Sequence, residues 1–192
     1  MTAANPYRTR SVALARLRKP IALNSMPKWR ARVEIARDVL AGLRADKLTP
    51  GSAYGAVELE PHHTVRGGDE LRNHLDHSTC RACALGCTLV ALVARVNGFR
   101  VDGGDIFCGR EIDLYRDGIT RRLSEYFTEI QMDMIESAYE SCVLCLPRLH
   151  LRSKAHLQAL DDASLVYHHL PKADRLPAIM NNIIANRGTF KP

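Results

Sequence analysis

The sequence predicts a mainly α chain: an irregular bundle of five or six helices around one central apolar helix, with at most a minor β-hairpin. Three observations predict it. Several windows repeat apolar residues at spacings of three and four. Residues 78–98, "STCRACALGCTLVALVARVNG", are apolar on nearly every side, as a helix with neighbours all round must be. Strand-like patterning is confined to short pieces. A length of 192 residues fills one domain with a sizeable core and is too short for two full ones. Hydrophobic residues at 46% and charged residues at 25% exclude a disordered or collagen-like chain.

Residues 1–24 read as a basic N-terminal arm and residues 25–192 as a single helical domain. The first 33 residues hold Arg8, Arg10, Arg16, Arg18, Lys19, Lys28, Arg30 and Arg32 and no acid. The remaining 19 basic and 21 acidic side chains nearly cancel, so the net +6 of the chain sits at its front. Such an arm suits an anionic partner. It is also the composition of a solvated terminus. An organelle transit peptide is Arg-rich and acid-free too, but "PYRTR" and "RKP" interrupt the amphipathic helix it needs. The first apolar run is too short and too charged for a secretory signal. The longest uncharged run, Ala82 to Ala94, has 13 residues, short of the roughly 18 to 20 that span hydrocarbon. The expected location is therefore the cytoplasm, away from membrane, with the six cysteines held as thiols.

The first helix is expected over residues 27 to 46. Ser25 is its cap candidate, and Trp29, Val33, Ala36, Leu40 and Leu43 form its inward stripe. Arg30, Arg37 and Arg44, seven apart, project together from another face. Residues 50 to 68 are punctuated by glycine and proline, and "YGAVELE" within them is a candidate short strand. Asp69 to Leu75 is a candidate short helix. Ser78 or Thr79 is expected to cap the apolar helix, and Asn97-Gly98 to end it. A shorter helix is expected over Ile119 to Tyr126. Thr128 and Gln131 form a capping box, so a helix begins near Glu129. Its expected face is Ile130, Met134, Ala138, Cys142 and Cys145, and Pro147 ends it. Asp161 and Asp162 mark a polar region. Asp174 then caps a last helix with Pro177 in its first turn, Ile179, Ile183 and Ile184 inward, and Gly188 as its stop.

The cysteines admit several readings. Cys80, Cys83 and Cys87 fall on one side of a helical wheel, and Cys142 and Cys145 repeat the spacing of three. Two such helices face to face would offer Cys80, Cys83, Cys142 and Cys145 to a tetrahedral zinc, with His62, His63, His74 and His77 nearby in sequence. Structural zinc sites, however, place C-x-x-C in tight turns, whereas these pairs lie in apolar helical windows. Free cysteine packs like a small hydrophobe, so core packing is the favoured reading, with no metal and no cofactor; zinc is the alternative. A redox pair, or Cys80 as a nucleophile with His77 or His74 and Asp76, would need a thiolate at a helix N-terminus. "DHSTC" matches no catalytic signature.

A helix entrance flanked by His74, His77 and Arg81 is a natural anion site. The two "GGD" stretches, residues 67–69 and 103–105, read as turns with caps and lack phosphate-loop spacing. Tyr115, Tyr126, Phe127 and Tyr139 read as core contacts rather than as a base-stacking platform.

"CRACALGCTLVALV" resembles the C-x-x-C-A-x-G-A stretch of small uncharacterised proteins of tailed bacteriophages, and "LSEYFTEIQMDMIESAYE" and "IMNNIIANRGTFKP" are similar to segments of the same set. Together these cover about 50 residues in the same order. Cys87 departs from the pattern, which has a small residue such as alanine there. The resemblance implies no activity and no catalytic residue. It implies a phage accessory protein that works by binding a host component, such as a defence complex, a polymerase or a nucleotide signal.

The expected function is thus capture of an anionic host ligand or host protein without catalysis, nucleic acid included. The expected anion-binding residues are Arg8, Arg10, Arg16, Arg18, Arg30, Arg37, Arg44, His74, His77 and Arg81. A zinc-stabilised recognition domain and a cysteine-dependent enzyme are the alternatives. A symmetric dimer is compatible with the pattern.

Overall fold

The computed structural model describes residues 23–51, 56–57, 79–93, 106–108, 112–114, 121–141 and 152–192. These residues form a mainly helical, bundle-like fold with a small β component, as the sequence predicts. The helices are α1 (Lys28–Arg44), α2 (Ala84–Val93), α3 (Glu129–Glu140), α4 (Lys154–Tyr167) and α5 (Lys172–Ala185), preceded by a single 3-10 turn at Leu23–Ser25. The strands are β1 (Leu48–Pro50), β2 (Ala56–Val57), β3 (Cys80–Ala82), β4 (Ile106–Cys108) and β5 (Ile112–Leu114).

The β component is small, as expected, and holds more than a hairpin. β4 and β5 do pair antiparallel. A second, three-stranded sheet runs in the order β1-β3-β2, with β1 and β3 parallel and β2 antiparallel to β3. Parallel strands need a long connection, so no local pattern announces them. β2 lies inside the "YGAVELE" segment read as a candidate strand.

α1 runs within its expected bounds, and of its expected stripe Val33, Ala36 and Leu40 are buried and Leu43 packs against the core; its cap and Trp29 differ. Pro27 precedes it and no side chain caps it. Its buried stripe is Ala31, Val33, Ile35, Ala36, Val39 and Leu40; Trp29 is left outside. α2 is the central helix. Every residue from Ala84 to Leu92 is buried, and α1 and α3 pack on it from two sides. It starts five residues later than expected, because residues 80–82 are strand. The anticipated stop at Asn97-Gly98 lies outside the described residues, as do the candidate helix at Asp69–Leu75 and both "GGD" turns.

α3 begins where its capping box predicts: Thr128 accepts a hydrogen bond from the Gln131 backbone N–H. It ends at Glu140, where Ser141 takes a left-handed conformation. Its buried residues are Met132, Asp133, Ile135, Glu136, Ser137, Ala138 and Tyr139; of the expected face Ala138 is buried and Met134 packs against the core, Ile130 is exposed, and Cys142 and Cys145 lie outside the described residues. The "polar region" around Asp161 and Asp162 is α4. Ser153 caps it, Leu160, Ala163 and Tyr167 face inward, and the two aspartates sit on its outer face. A helical turn at residues 121–123 covers part of the expected short helix and buries Leu123.

α3 and α4 run parallel. Asp133 reaches Arg152 and His156, and one turn later Ser137 Oγ donates to Leu160 O at 2.9 Å. α5 starts beside the end of α3, where Lys172 Nζ meets Glu140 Oε2 at 2.7 Å. It ends against the first turn of α1. There Gly188 adopts φ +82°, and a Cβ on it would lie 2.2 Å from Trp29 O, so only glycine fits. Arg32 donates to Gly188 O and to Tyr126 O, locking the contact. The tail then doubles back along α5: Asn182 pairs with both backbone groups of Lys191, and Phe190 packs on Tyr167. Leu23, at the front of the described chain, is already buried in the core.

Candidate anion-binding surface

The cysteines belong to the interior. Cys80 opens β3, in the centre of the small sheet, and its N–H donates to Lys47 O at 2.9 Å. Cys83 is the residue between β3 and α2, and its Sγ accepts from the Gly86 N–H at 3.5 Å. Cys87 follows in α2 and its thiol donates to Ala82 O at 3.5 Å. All three are buried in the core with Leu85, Ile135 and Tyr139. Burial pushes the Cys80 and Cys83 thiols up to about 12. For Cys83 the nearby Glu136 and Glu140 carboxylates push the same way. Burial, reinforced by the other two thiols, also raises Cys87 well above its ordinary value. Groups so raised stay protonated at neutral pH and are poor nucleophiles.

These positions correct two expectations. The three sulfurs do not share one helical face, because Cys80 lies on a strand and Cys83 at a junction. The premise of a Cys80 thiolate in a helix's first turn therefore does not hold. Of the zinc alternative, Cys142 and Cys145 lie outside the described residues; among the described residues no group of three or more His, Cys, Asp or Glu side chains is placed to hold a metal ion. His62, His63, His74 and His77 also lie outside them.

The charged surface is elsewhere. Arg30, Arg37 and Arg44 are all exposed on α1. Seven residues advance about 10 Å along a helix and fall only about 20° short of two turns, so the three guanidinium groups form one row. The opposite side of the helix is fixed by Ala31, Ile35 and Val39, each fully buried. Arg37 pairs with Glu34 at 2.6 Å, an exposed i, i+3 ion pair that a competing anion can exchange. Arg30 and Arg44 make no ion pair among the described residues.

Arg81 is exposed too, but on β3 rather than at a helix entrance. It stands opposite Thr49 in register, and the β3 entrance is tied to the turn after α1 by Thr79 Oγ1 donating to Asp46 O at 2.9 Å. Arg81 therefore lies towards the Arg44 end of the row. Arg8, Arg10, Arg16 and Arg18 lie outside the described residues.

Three arginines that the pattern does not single out do different work. Arg32 bridges α1 to the chain end, as above. Arg152 pairs with Asp133 at 2.6 Å and Glu129 at 2.7 Å. Arg175 donates to Tyr139 O, His168 O and Leu170 O, closing the carboxyl ends of α3 and α4 with one cation. Each has at least one partner nineteen or more residues away, so local pattern does not separate them from the exposed arginines.

Comparison with protein-family models, with curated proteins and with solved structures finds no match to this chain. No helix of the described residues is long and apolar enough to cross a membrane.

Proposed function

We propose that this chain is a binding protein, of the phage accessory kind its cysteine-rich segment resembles, that captures an anionic host component through the arginine face of α1 and acts without catalysis. The observation that carries the reading is the placement of Arg30, Arg37 and Arg44. They form an exposed row on a helix whose other side is anchored in the core. A rigid row of cations presents charge at fixed intervals and loses little entropy when it meets a polyanion. Arg81 and the basic leader that precedes α1 in sequence extend the same sign of charge. The buried, protonated thiols are packing in this reading.

The test is retention on immobilised heparin along a salt gradient. The native chain is expected to bind, and R30Q/R37Q/R44Q to elute at clearly lower salt with an unchanged far-UV spectrum. Failure of the native chain to bind, or equal elution of the two proteins, rejects the reading.

A further inference from the structure

We infer that the partner of this surface is single-stranded nucleic acid, with Trp29 as the platform on which a base stacks. The inference rests on the anion-binding reading above and adds the class of polyanion.

It starts from a residue that is in the wrong place. Apolar periodicity assigns Trp29 to the buried stripe of α1, yet it is 48% exposed while Ala31 and Ile35 are fully buried. An indole left in water forfeits much of the hydrophobic gain its burial would bring. Among the described residues no aromatic ring packs on Trp29. Trp29 lies in the first turn of α1, on the same side as buried Val33, Ala36 and Leu40, and the backbone beneath it is fixed. Trp29 O faces Gly188 at a distance that leaves no room for a Cβ, and Arg32, three residues on, is bonded to Gly188 O and Tyr126 O.

The residues adjoining Trp29 in the chain are cationic. Lys28 and Arg30 flank it in sequence, and both are exposed. Arg187 precedes the glycine packed against Trp29; it is exposed and holds the left-handed φ of 52°. From this end the row continues to Arg37 and Arg44. A flat π surface beside the first of a row of guanidinium groups, about a quarter turn round the helix from it, is a combination that holds unpaired bases by their faces and the backbone by its phosphates. Duplex DNA offers phosphates to the same arginines but keeps its base faces covered, so it gains nothing from the indole.

Trp29 is the sole tryptophan of the chain, so its fluorescence reports on this position alone. The full chain is titrated with a roughly 15-nucleotide oligothymidylate, long enough for such a site, and with a duplex of the same length. The single strand is expected to quench Trp29 and to bind more tightly than the duplex. W29A is expected to lose about 5- to 150-fold in single-strand affinity, the loss of one stacked base, and W29F to retain most of it. The dependence of log affinity on log salt should keep its slope in W29A, which removes no charge. In R44Q the slope should become shallower by about 0.7.

Equal affinity for the two forms, or W29A binding like the native chain, overturns the inference and leaves heparin binding untouched. Loss of heparin binding instead removes the surface reading on which it stands. A quench produced only by a protein partner, with no oligonucleotide bound, also overturns it and makes Trp29 a protein-contact residue.

Discussion

Two buried regions of this molecule solve the same problem with opposite materials. The β3–α2 junction fills its interior with sulfur: Cys80, Cys83 and Cys87 pack among aliphatic side chains and form only weak hydrogen bonds. The α3–α4 seam fills its interior with charge. Asp133, 2% exposed, meets Arg152 at 2.6 Å, and His156 Nε2 lies 3.3 Å away, near enough for an ion pair but not aligned for a hydrogen bond. Sulfur packing is tolerant, because a thiol without a partner costs little. Buried charge is intolerant, because a member left without its partner is stranded in low dielectric. The seam therefore fixes the register of two parallel helices, while the junction only has to be filled.

The largest effect expected from this contrast is at Asp133. D133A leaves Arg152 with Glu129 alone and takes the carboxylate from His156, and should cost about 2–3 kcal/mol, lowering Tm by roughly 4–12 °C for a chain of this size. D133L/R152M, which replaces the pair by apolar bulk, should recover much of that loss. Thermal melts followed by circular dichroism measure both. If D133A melts within 2 °C of the native chain, taken as roughly the effect of 1 kcal/mol or less, the seam does not hold the helices in register.

How far such features can be read from sequence depends on where their partners lie. The Thr128–Gln131 cap, the stop at Gly188, the central apolar helix and the burial of Cys80, Cys83 and Cys87 are all legible, because each is decided within a turn or two of its own residue. β3 is not. Its strand conformation is set by β1, about 30 residues earlier, and the helix-like spacing of its cysteines points the other way. α4 was legible in principle. Ser153 is a good cap, and Leu160, Ala163 and Tyr167 keep helical spacing, but Asp161-Asp162 on the outer face suggests a loop. On the surface, the exposed row Arg30, Arg37, Arg44 follows from spacing alone. The exposure of Trp29 does not: Val33, Ala36 and Leu40 of its expected stripe are buried, and only Trp29, in the first turn, is left half uncovered.

An intermediate effect separates the junction by pH. The Cys80 and Cys83 thiols rise from an ordinary value near 9.0 to about 12 on folding. Below pH 9 both folded and unfolded chains keep these protons, so stability is unaffected. Between pH 9 and 12 the unfolded chain releases them and the folded chain does not, so stability falls as pH rises. Each thiol contributes up to about 1.4 kcal/mol per pH unit in that window. Urea midpoints measured from pH 8 to pH 11 should therefore decline, and C80A and C83A should each flatten the decline while costing only about 1 kcal/mol at pH 7.5. An unchanged pH dependence in both variants would mean that these sulfurs are not enclosed.

The smallest effect on stability belongs to the exposed arginines, and its smallness is informative. Among the described residues, Arg30, Arg37 and Arg44 are joined to the fold by one surface ion pair, Arg37–Glu34, of a kind worth well under about 1 kcal/mol. R30Q/R37Q/R44Q should thus shift stability by less than about 0.5 kcal/mol in urea titration. Arg175, with three backbone carbonyls bound to one guanidinium, provides the internal contrast, and R175Q should be clearly less stable in the same titration. A row of cations that the fold does not need is free to be selected for what it meets outside. A triple variant as destabilised as R175Q would instead place the row among the structural arginines and withdraw it as a binding surface.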